Sequence, residues 1–163
     1  MYPVWPIVDV EYVVSYLRQN PEGEQATEIY ALATAIAAAT IAQLRLGNNS
    51  CSDKSITADT FAQESLRARE SAVHRSKVNL NNVRTSFFLH VYYENQRSGG
   101  SESLLYLREA ISLAQMMHLH RESSYRNLLS EEQQIRRRVL WLLFVTERYV
   151  FTGCFFNTFL LGN

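Results

Sequence analysis

Apolar residues recur along this chain at the three- and four-residue spacing of helices, and the pattern is strongest from Ser130 to Val150. Ser130 and Gln133 have the spacing of a capping box, which predicts that a helix begins there. Glu131 and Glu132 then fall in the first turn, where the helix dipole favours negative charge. One buried stripe follows, made of Ile135, Val139, Leu142, Leu143 and Thr146. We predict a central helix over 130–150.

The rest of the pattern predicts further helices and no strands. Asp9 is placed to cap a short helix that ends near Asn20. The alanine-rich segment from Glu24 to Leu46 has small residues opposite its large apolar face, which indicates burial on two sides. Additional helices are predicted at Thr57–Arg75, at Val83–Gln96, and from Ser101 or Ser103 onwards. The fold class is therefore all-α, built from antiparallel helix pairs.

Helical spacing also predicts which side chains are buried. The first helix presents Val10, Val13, Val14 and Leu17, and the helix after Ser101 presents Leu104, Leu107, Ile111, Ala114 and Met117. Two aromatic groups have apolar neighbours and are expected in the core: the run from Phe87 to Tyr93, for which a sugar-binding aromatic cleft is the alternative, and Trp141, for which a stacking platform is the alternative. His118 to Leu129 is expected to be a polar connection.

Composition excludes several classes of function. Sixteen acidic and sixteen basic residues cancel, so the chain has no net positive charge that would attract nucleic acid or an acidic membrane. Two cysteines, Cys51 and Cys154, form neither a disulfide framework nor a CxxC zinc site, which fits a reducing compartment. The N-terminus lacks the basic region of a secretory signal peptide, and no run of 18 uncharged apolar residues predicts a membrane span.

No catalytic or metal-binding pattern stands out. His118 and His120 would point about 200° apart on a helix, so surface histidines are the favoured interpretation, as they are for His74 and His90. Phosphate-loop, dinucleotide and nucleophile-elbow motifs are absent, and we expect no enzyme. Arg136, Arg137 and Arg138 suit either a phosphate contact or, more simply, a paired helix face, with Glu132 four residues before Arg136.

Three segments in order resemble the middle homology region of fungal binuclear zinc-cluster transcription factors of the xylanolytic and amylolytic activator type. The opening Tyr2-Pro3-Val4-Trp5-Pro6-Ile7-Val8 is similar to the family's Y-P-hydrophobic-hydrophobic-P-hydrophobic entry. Residues 104–121 are similar to its y-l-r-e-A-i-x-l-A-x-x-l-g-l-h-r helix, through Arg108 and Ala110. Residues 130–148 are similar to its r-r-R-l-w-W-x-l-f-x-x-d/e-R helix, through Arg136, Arg137, Arg138, Trp141, Phe144, Glu147 and Arg148.

The resemblance implies a helical regulatory module of a nuclear transcription factor. The residues in the three motifs are most similar to those of the maltose and starch-utilisation branch. Such proteins read DNA through a separate N-terminal cluster of six cysteines and two zinc ions. No zinc ligand, cofactor or DNA contact is therefore assigned to a residue of this chain. The implied partners are other parts of the same protein, a co-regulator and a small-molecule inducer. Arg136 to Arg138 and Glu147 are expected to form helix-to-helix ion pairs.

The resemblance covers about residues 2–149, whereas the family's domain continues further. Residues 1–149 are therefore expected to be part of such a domain. Residues 150–163 are expected to be an apolar tail left by truncation or by a gene model that runs past a splice junction. A plain helical protein–protein interaction module, unrelated to transcription, is the alternative.

Overall fold

The computed structural model describes residues 6–20, 23, 25–44, 57–70, 77–96 and 100–160, with the backbone alone for residues 151 and 153–160. These ranges hold six α-helices and no strand, which confirms the all-α prediction. A 3-10 turn, Glu122–Tyr125, precedes the last helix. The helices are α1 Val10–Gln19, α2 Ala26–Leu44, α3 Ala58–Arg69, α4 Leu80–Glu94, α5 Gly100–Met116 and α6 Ser130–Leu160.

Short polar side chains set the starts of three helices, because each accepts a backbone N–H that the helix leaves unpaired. The Asp9 carboxylate accepts from Tyr12 N at 3.0 Å, as predicted for α1. Thr57 caps α3 in a reciprocal box with Thr60. Asn79 accepts from Asn82 N at 2.9 Å, so α4 begins at Leu80 and the predicted start at Val83 is wrong.

The last helix differs from its prediction at both ends. Leu129 O accepts the first helical bond, from Gln133 N at 3.0 Å, which puts Leu129 at the cap position and Ser130 inside the helix. The Gln133 side chain instead donates to Leu128 O. The predicted Ser130 cap is therefore wrong. The helix also continues past Val150 to Leu160, through uncharged residues that do not interrupt a helix.

Two helices form the centre of the bundle. Small residues cover one face of α2, and Ala31, Ala35, Ala38 and Ala39 are fully buried there, which lets α3 and α4 approach closely. The Ser65 hydroxyl on α3 donates to Ala31 O at 2.8 Å across this contact. The other central helix is α4, which packs against α2 and α5. Its Phe87 and Phe88 rings meet edge to face in the core, so the predicted aromatic core is confirmed.

α2 is long and apolar enough to cross a membrane, but 44% of its most apolar 18-residue window is buried inside the bundle. Its buried residues lie on contacts with α3 and α4. We therefore describe α2 as the core helix of the fold.

A partly buried polar contact ties three helices together. Arg69 at the end of α3 donates to Glu109 Oε1 on α5 at 2.6 Å, and Ser86 on α4 donates to the other oxygen of the same carboxylate at 2.9 Å. The Arg69 side chain is 13% exposed and that of Glu109 is 42% exposed, so the arginine is shielded from water while the carboxylate remains partly open to it. The contact fixes the relative positions of α3, α4 and α5.

Several predicted burial positions are wrong. On α1 the buried side chain is Val13, whereas Val10 and Val14 are 56% and 48% exposed. On α5 Leu107 and Ala114 are buried, but Leu104 is 41% exposed. The predicted polar connection after α5 contains two core residues, Leu119 and Tyr125, whose backbone carbonyl and hydroxyl form a hydrogen bond. Helical spacing identified the helices but did not identify which apolar face has a neighbour.

Candidate functional site

The first turns of α6 close one side of a cleft where α1, α2, α4 and α6 meet. We call it the four-helix cleft, and its volume is about 570 Å³. Charged and amide side chains from α2, α4 and α6, together with the α1 cap residue Asp9, mix with apolar ones along its walls. Its lining residues are Asp9, Tyr12, Val13, Gln25, Glu28, Ile29, Leu32, Val78, Asn79, Leu80, Asn81, Arg84, Met117, Glu131, Glu132, Ile135 and Arg136.

The arginine triplet makes contacts within the chain. Arg136 Nε donates to Glu132 Oε1 at 2.8 Å, which is the pair expected one helical turn apart. Arg137 forms an ion pair with Glu122 of the 3-10 turn, and its guanidinium lies 4.6 Å from the centre of the Tyr125 ring. Arg138 donates to the Pro6 carbonyl oxygen at 3.4 Å. The expected helix-to-helix ion pairs are therefore wrong for Arg136, whose partner lies on the same helix, and for Arg138, whose described partner is a backbone carbonyl.

A second ion pair connects α5 to α6. Arg108 Nη1 lies 3.1 Å from Glu147 Oε1, so Glu147 pairs with a neighbouring helix. Ala110 lies on the buried face of α5, two residues after Arg108. Beside this pair is a groove of about 500 Å³ between α5 and α6, which we call the α5–α6 groove. It is lined by Ile111, Ala114, Gln115, His118, His120, Arg121, Leu140, Leu143, Phe144 and Glu147.

Trp141 is 66% exposed, so its predicted place in the core is wrong. Its ring stacks on Phe144 of the same helix with the ring centres 5.6 Å apart. The Arg148 guanidinium lies over the Phe144 ring, 5.3 Å from its centre. Tyr149 is 76% exposed on the same helix. The outer face of α6 is therefore an aromatic surface. We call Trp141, Phe144, Val145 and Tyr149 the α6 stripe.

Arg84 is a cation inside the four-helix cleft that the sequence analysis did not single out. Burial is the main cause that lowers the pKa of its guanidinium, to about 10, while the nearby Glu132 carboxylate opposes that change. Nη1 donates to Asn81 Oδ1 at 3.4 Å, and the buried Nε has no hydrogen-bond acceptor among the described residues. The sequence did contain one indication of this residue, because Arg84 is a charged side chain in a helix whose aromatic residues predict burial.

Glu28 is a buried anion on the opposite wall of the same cleft, and it is 5% exposed. Its Oε2 accepts from the Asn79 amide at 2.7 Å. Its Oε1 lies 3.1 Å from Lys77 Nζ but has no aligned hydrogen-bond donor among the described residues. Each wall therefore carries a buried charged group whose hydrogen-bonding capacity is only partly used.

The remaining predicted residues are distributed as follows. His118 and His120 have ring centres 6.0 Å apart beside the α5–α6 groove, and no described cluster of three or more His, Cys, Asp or Glu is arranged to hold a metal ion. His90 is buried against Ser103. Tyr2, Pro3, Cys51 and His74 lie outside the described residues, as does the side chain of Cys154.

Comparison with known proteins gives a match over nearly the whole chain. The family described as the fungal specific transcription factor domain matches residues 1–156. A probable sucrose utilization protein of Candida albicans is 32% identical over 152 residues, which cover 91% of this chain and 29% of that protein. A maltose fermentation regulatory protein of Saccharomyces cerevisiae is 28% identical over 149 residues, covering 91% and 31%.

A respiratory transcription factor of Saccharomyces cerevisiae is 26% identical over 156 residues, which cover 94% of this chain and 33% of that protein. The chain thus spans about three-tenths of the length of these curated relatives. No solved structure matches the chain.

Proposed function

The chain belongs to the fungal specific transcription factor domain family, and we propose that it is a regulatory part of a factor that controls RNA polymerase II transcription of carbohydrate-utilisation genes. The match across residues 1–156 is the observation that carries the proposal. Relatives named for sucrose utilization and maltose fermentation support the choice of genes. In this proposal the whole protein acts in the nucleus and binds DNA through a separate zinc cluster.

The charge distribution supports a regulatory rather than a DNA-reading role for this chain. Its formal net charge is zero, whereas DNA-contacting domains concentrate basic residues on one face. The densest basic segment is engaged within the chain, through Arg136 with Glu132 and Arg137 with Glu122. The first pair lies within α6, and the second connects α6 to the 3-10 turn before it. The helices then provide a scaffold through which an inducer or a co-regulator alters activation.

Disruption of the gene tests this function. We expect the transcripts of sugar hydrolases and sugar transporters to change several-fold in cells grown on sucrose or maltose. Reintroducing the intact gene is the matched control, and it restores the transcript levels. An unchanged transcript profile on both sugars would show that the protein has another role.

A helical interaction module is the second candidate, because the α6 stripe exposes large aromatic side chains that binding surfaces favour. Exchange of Trp141 and Tyr149 for serine in the intact protein separates the two. In a plain interaction module, the two serine substitutions abolish partner binding, and the transcript levels of the sugar genes equal those in cells with the unaltered gene. In a transcription regulator whose stripe transmits activation, both change together.

A further inference from the structure

We propose that the α5–α6 groove binds an acidic, amphipathic helical segment of a partner protein. The apolar side chains of that segment enter the groove, and its carboxylates face the cations beside it. This inference deepens the proposed function, and it rests on that function only for the premise that the chain has a protein partner. The apolar lining, the surrounding charge and the length of the groove support it.

The lining of the α5–α6 groove is largely apolar and open to solvent. Ala114 and Leu143, each 3% exposed, form its floor. Ile111 and Leu140 are partly buried beside them, and Phe144 is 46% exposed at the edge. Apolar side chains of a partner leave water when they pack here, and that transfer is the main driving force for binding a helix in a groove.

Two cations without a carboxylate partner flank the groove. Arg121 lines it where the chain leaves α5, and its Nε donates to His120 Nε2, which is an uncharged acceptor, at 3.3 Å. Arg148 lies beside the groove on α6, with its guanidinium over the ring of Phe144. Within the part of the chain that the structure describes, neither guanidinium forms an ion pair. Both remain able to bind a carboxylate from another molecule.

The charge of the groove favours an acidic occupant. Glu147 is the one carboxylate among the described lining residues, and it already pairs with Arg108 at 3.1 Å. Arginines therefore outnumber carboxylates around the groove, since Arg121 and Arg148 add two positive charges to a neutral pair. Acidic side chains of a partner gain from this excess, whereas basic ones are repelled.

The groove is long enough for a short helix. From Leu140 to Glu147 it follows α6 for about two turns, or roughly 10 Å. A partner helix with apolar residues three and four positions apart presents one apolar face over that distance and carries its acidic residues on the others. Phe144, with Trp141 stacked on it, provides the aromatic edge that protein interfaces favour.

Fluorescence anisotropy with a labelled synthetic peptide and the purified 163-residue chain tests the inference. The probe is a three-turn helical peptide with leucines at helical spacing and glutamates elsewhere. Its counterpart has lysines in place of the glutamates. We expect saturable binding of the acidic peptide, and binding of the basic peptide at least about tenfold weaker. Added salt is expected to weaken the acidic complex, because it screens exposed charges.

Substitutions assign the binding to the groove. Phe144→Ser is expected to weaken binding at least about tenfold, and Leu105→Ser, at a 68% exposed position of α5 outside the groove, is its matched control. The double variant Arg121→Gln with Arg148→Gln is expected to bind several-fold more weakly and with less salt dependence. Arg126→Gln, at an exposed arginine outside the groove, keeps the parent affinity.

The double arginine variant changes exposed side chains only, so it keeps the test decisive if Phe144→Ser loses the parent circular dichroism spectrum. Absence of acidic-peptide binding, equal affinity for the basic peptide, or parent affinity in folded groove variants would overturn the inference. A dimer in sedimentation that Phe144→Ser dissociates would also overturn it, because a second copy would then occupy the groove. The transcript experiment uses no peptide, so an unbound peptide with a persistent transcript response refutes the groove and leaves the proposed function standing.

Discussion

His118 is the one described non-glycine residue with a left-handed backbone, at φ 54°. It follows the end of α5, where Leu119 N donates to Ala114 O at 3.0 Å and His118 N donates to Gln115 O at 2.9 Å. These two bonds form a Schellman motif, which usually has glycine at the left-handed position. The family pattern quoted for this helix also has glycine there. The strain at His118 is offset by the burial of Leu119.

His118→Gly is expected to stabilise the chain by about 1 kcal/mol, because glycine adopts the left-handed conformation without a Cβ clash. His120→Gly is the matched control, since residue 120 has no positive φ, and it gives no gain. Urea unfolding followed by circular dichroism measures the difference. Equal free energies of unfolding for the parent and His118→Gly would show that this turn carries no strain.

His90 is a buried titratable residue of the core. Its Nδ1 lies 2.8 Å from Ser103 Oγ and 3.1 Å from Ser103 O, and the Ser103 hydroxyl donates to Glu94 Oε2 at 2.6 Å. Since the hydroxyl proton goes to Glu94, Nδ1 of His90 carries a proton and donates. Burial lowers the pKa of His90 below its ordinary value of 6.5.

A depressed histidine pKa makes the folded state weaker in acid, because below pH 6.5 the unfolded chain takes up a proton that the folded chain resists. The contribution is fully present above pH 6.5 and is lost as the pH falls towards the folded-state value. We expect the free energy of unfolding to decline from pH 7 to pH 5, and less steeply in His90→Gln. Identical pH profiles for the two proteins would refute this role of His90.

Among the elements, α6 shows most clearly what periodicity can and cannot determine. The predicted stripe is partly right, since Val139 and Leu143 are buried. Trp141, Phe144 and Val145 are also apolar, so the helix has apolar residues on nearly every side, and the sequence alone could not identify the covered one. The packing partners, α4 and α5, decide it. In α2 the small face is buried at Ala31, Ala35 and Ala38, as predicted, whereas the predicted large face is buried only at Ile29 and Leu32 and reaches 57% exposure at Leu44.

Leu143→Ala and Trp141→Ala test the orientation of α6. The first removes a core side chain that is 3% exposed and is expected to cost about 2–5 kcal/mol of unfolding free energy. The second removes a larger ring that is 66% exposed, and is expected to cost less than about 1 kcal/mol. Denaturant unfolding of both variants gives the comparison. A larger loss for Trp141→Ala would place the wrong face of α6 against the core.

For the whole molecule, local sequence patterns predicted the all-α class and most helix positions, whereas the four-helix cleft could be identified only from tertiary contacts. Caps such as Asp9 act within one turn and are visible in the sequence. The four-helix cleft needs Glu28, Arg84 and Arg136, which come together only when α2, α4 and α6 pack. No spacing rule relates residues on three different helices. The Arg108–Glu147 pair likewise joins positions 39 residues apart.

Removal of residues 150–163 tests the predicted domain boundary at 149. Leu143 is the last buried core residue that the structure describes, and Val150 is the one described side chain of the removed segment that packs against the core, so we expect a chain ending at Tyr149 to keep a cooperative helical melt in circular dichroism. The full chain is the control. A non-cooperative melt of the shortened chain alone would place residues 150–160 inside the folding unit.

The proposed regulatory role is tested most directly by a reporter fusion. The 163-residue chain is placed between a foreign DNA-binding domain and an activation domain, and reporter output is measured in yeast grown on glucose, sucrose or maltose. A regulatory domain is expected to make output differ several-fold between sugars, whereas the fusion without the chain gives one level throughout. Output that matches the chain-free fusion on every sugar would contradict the account.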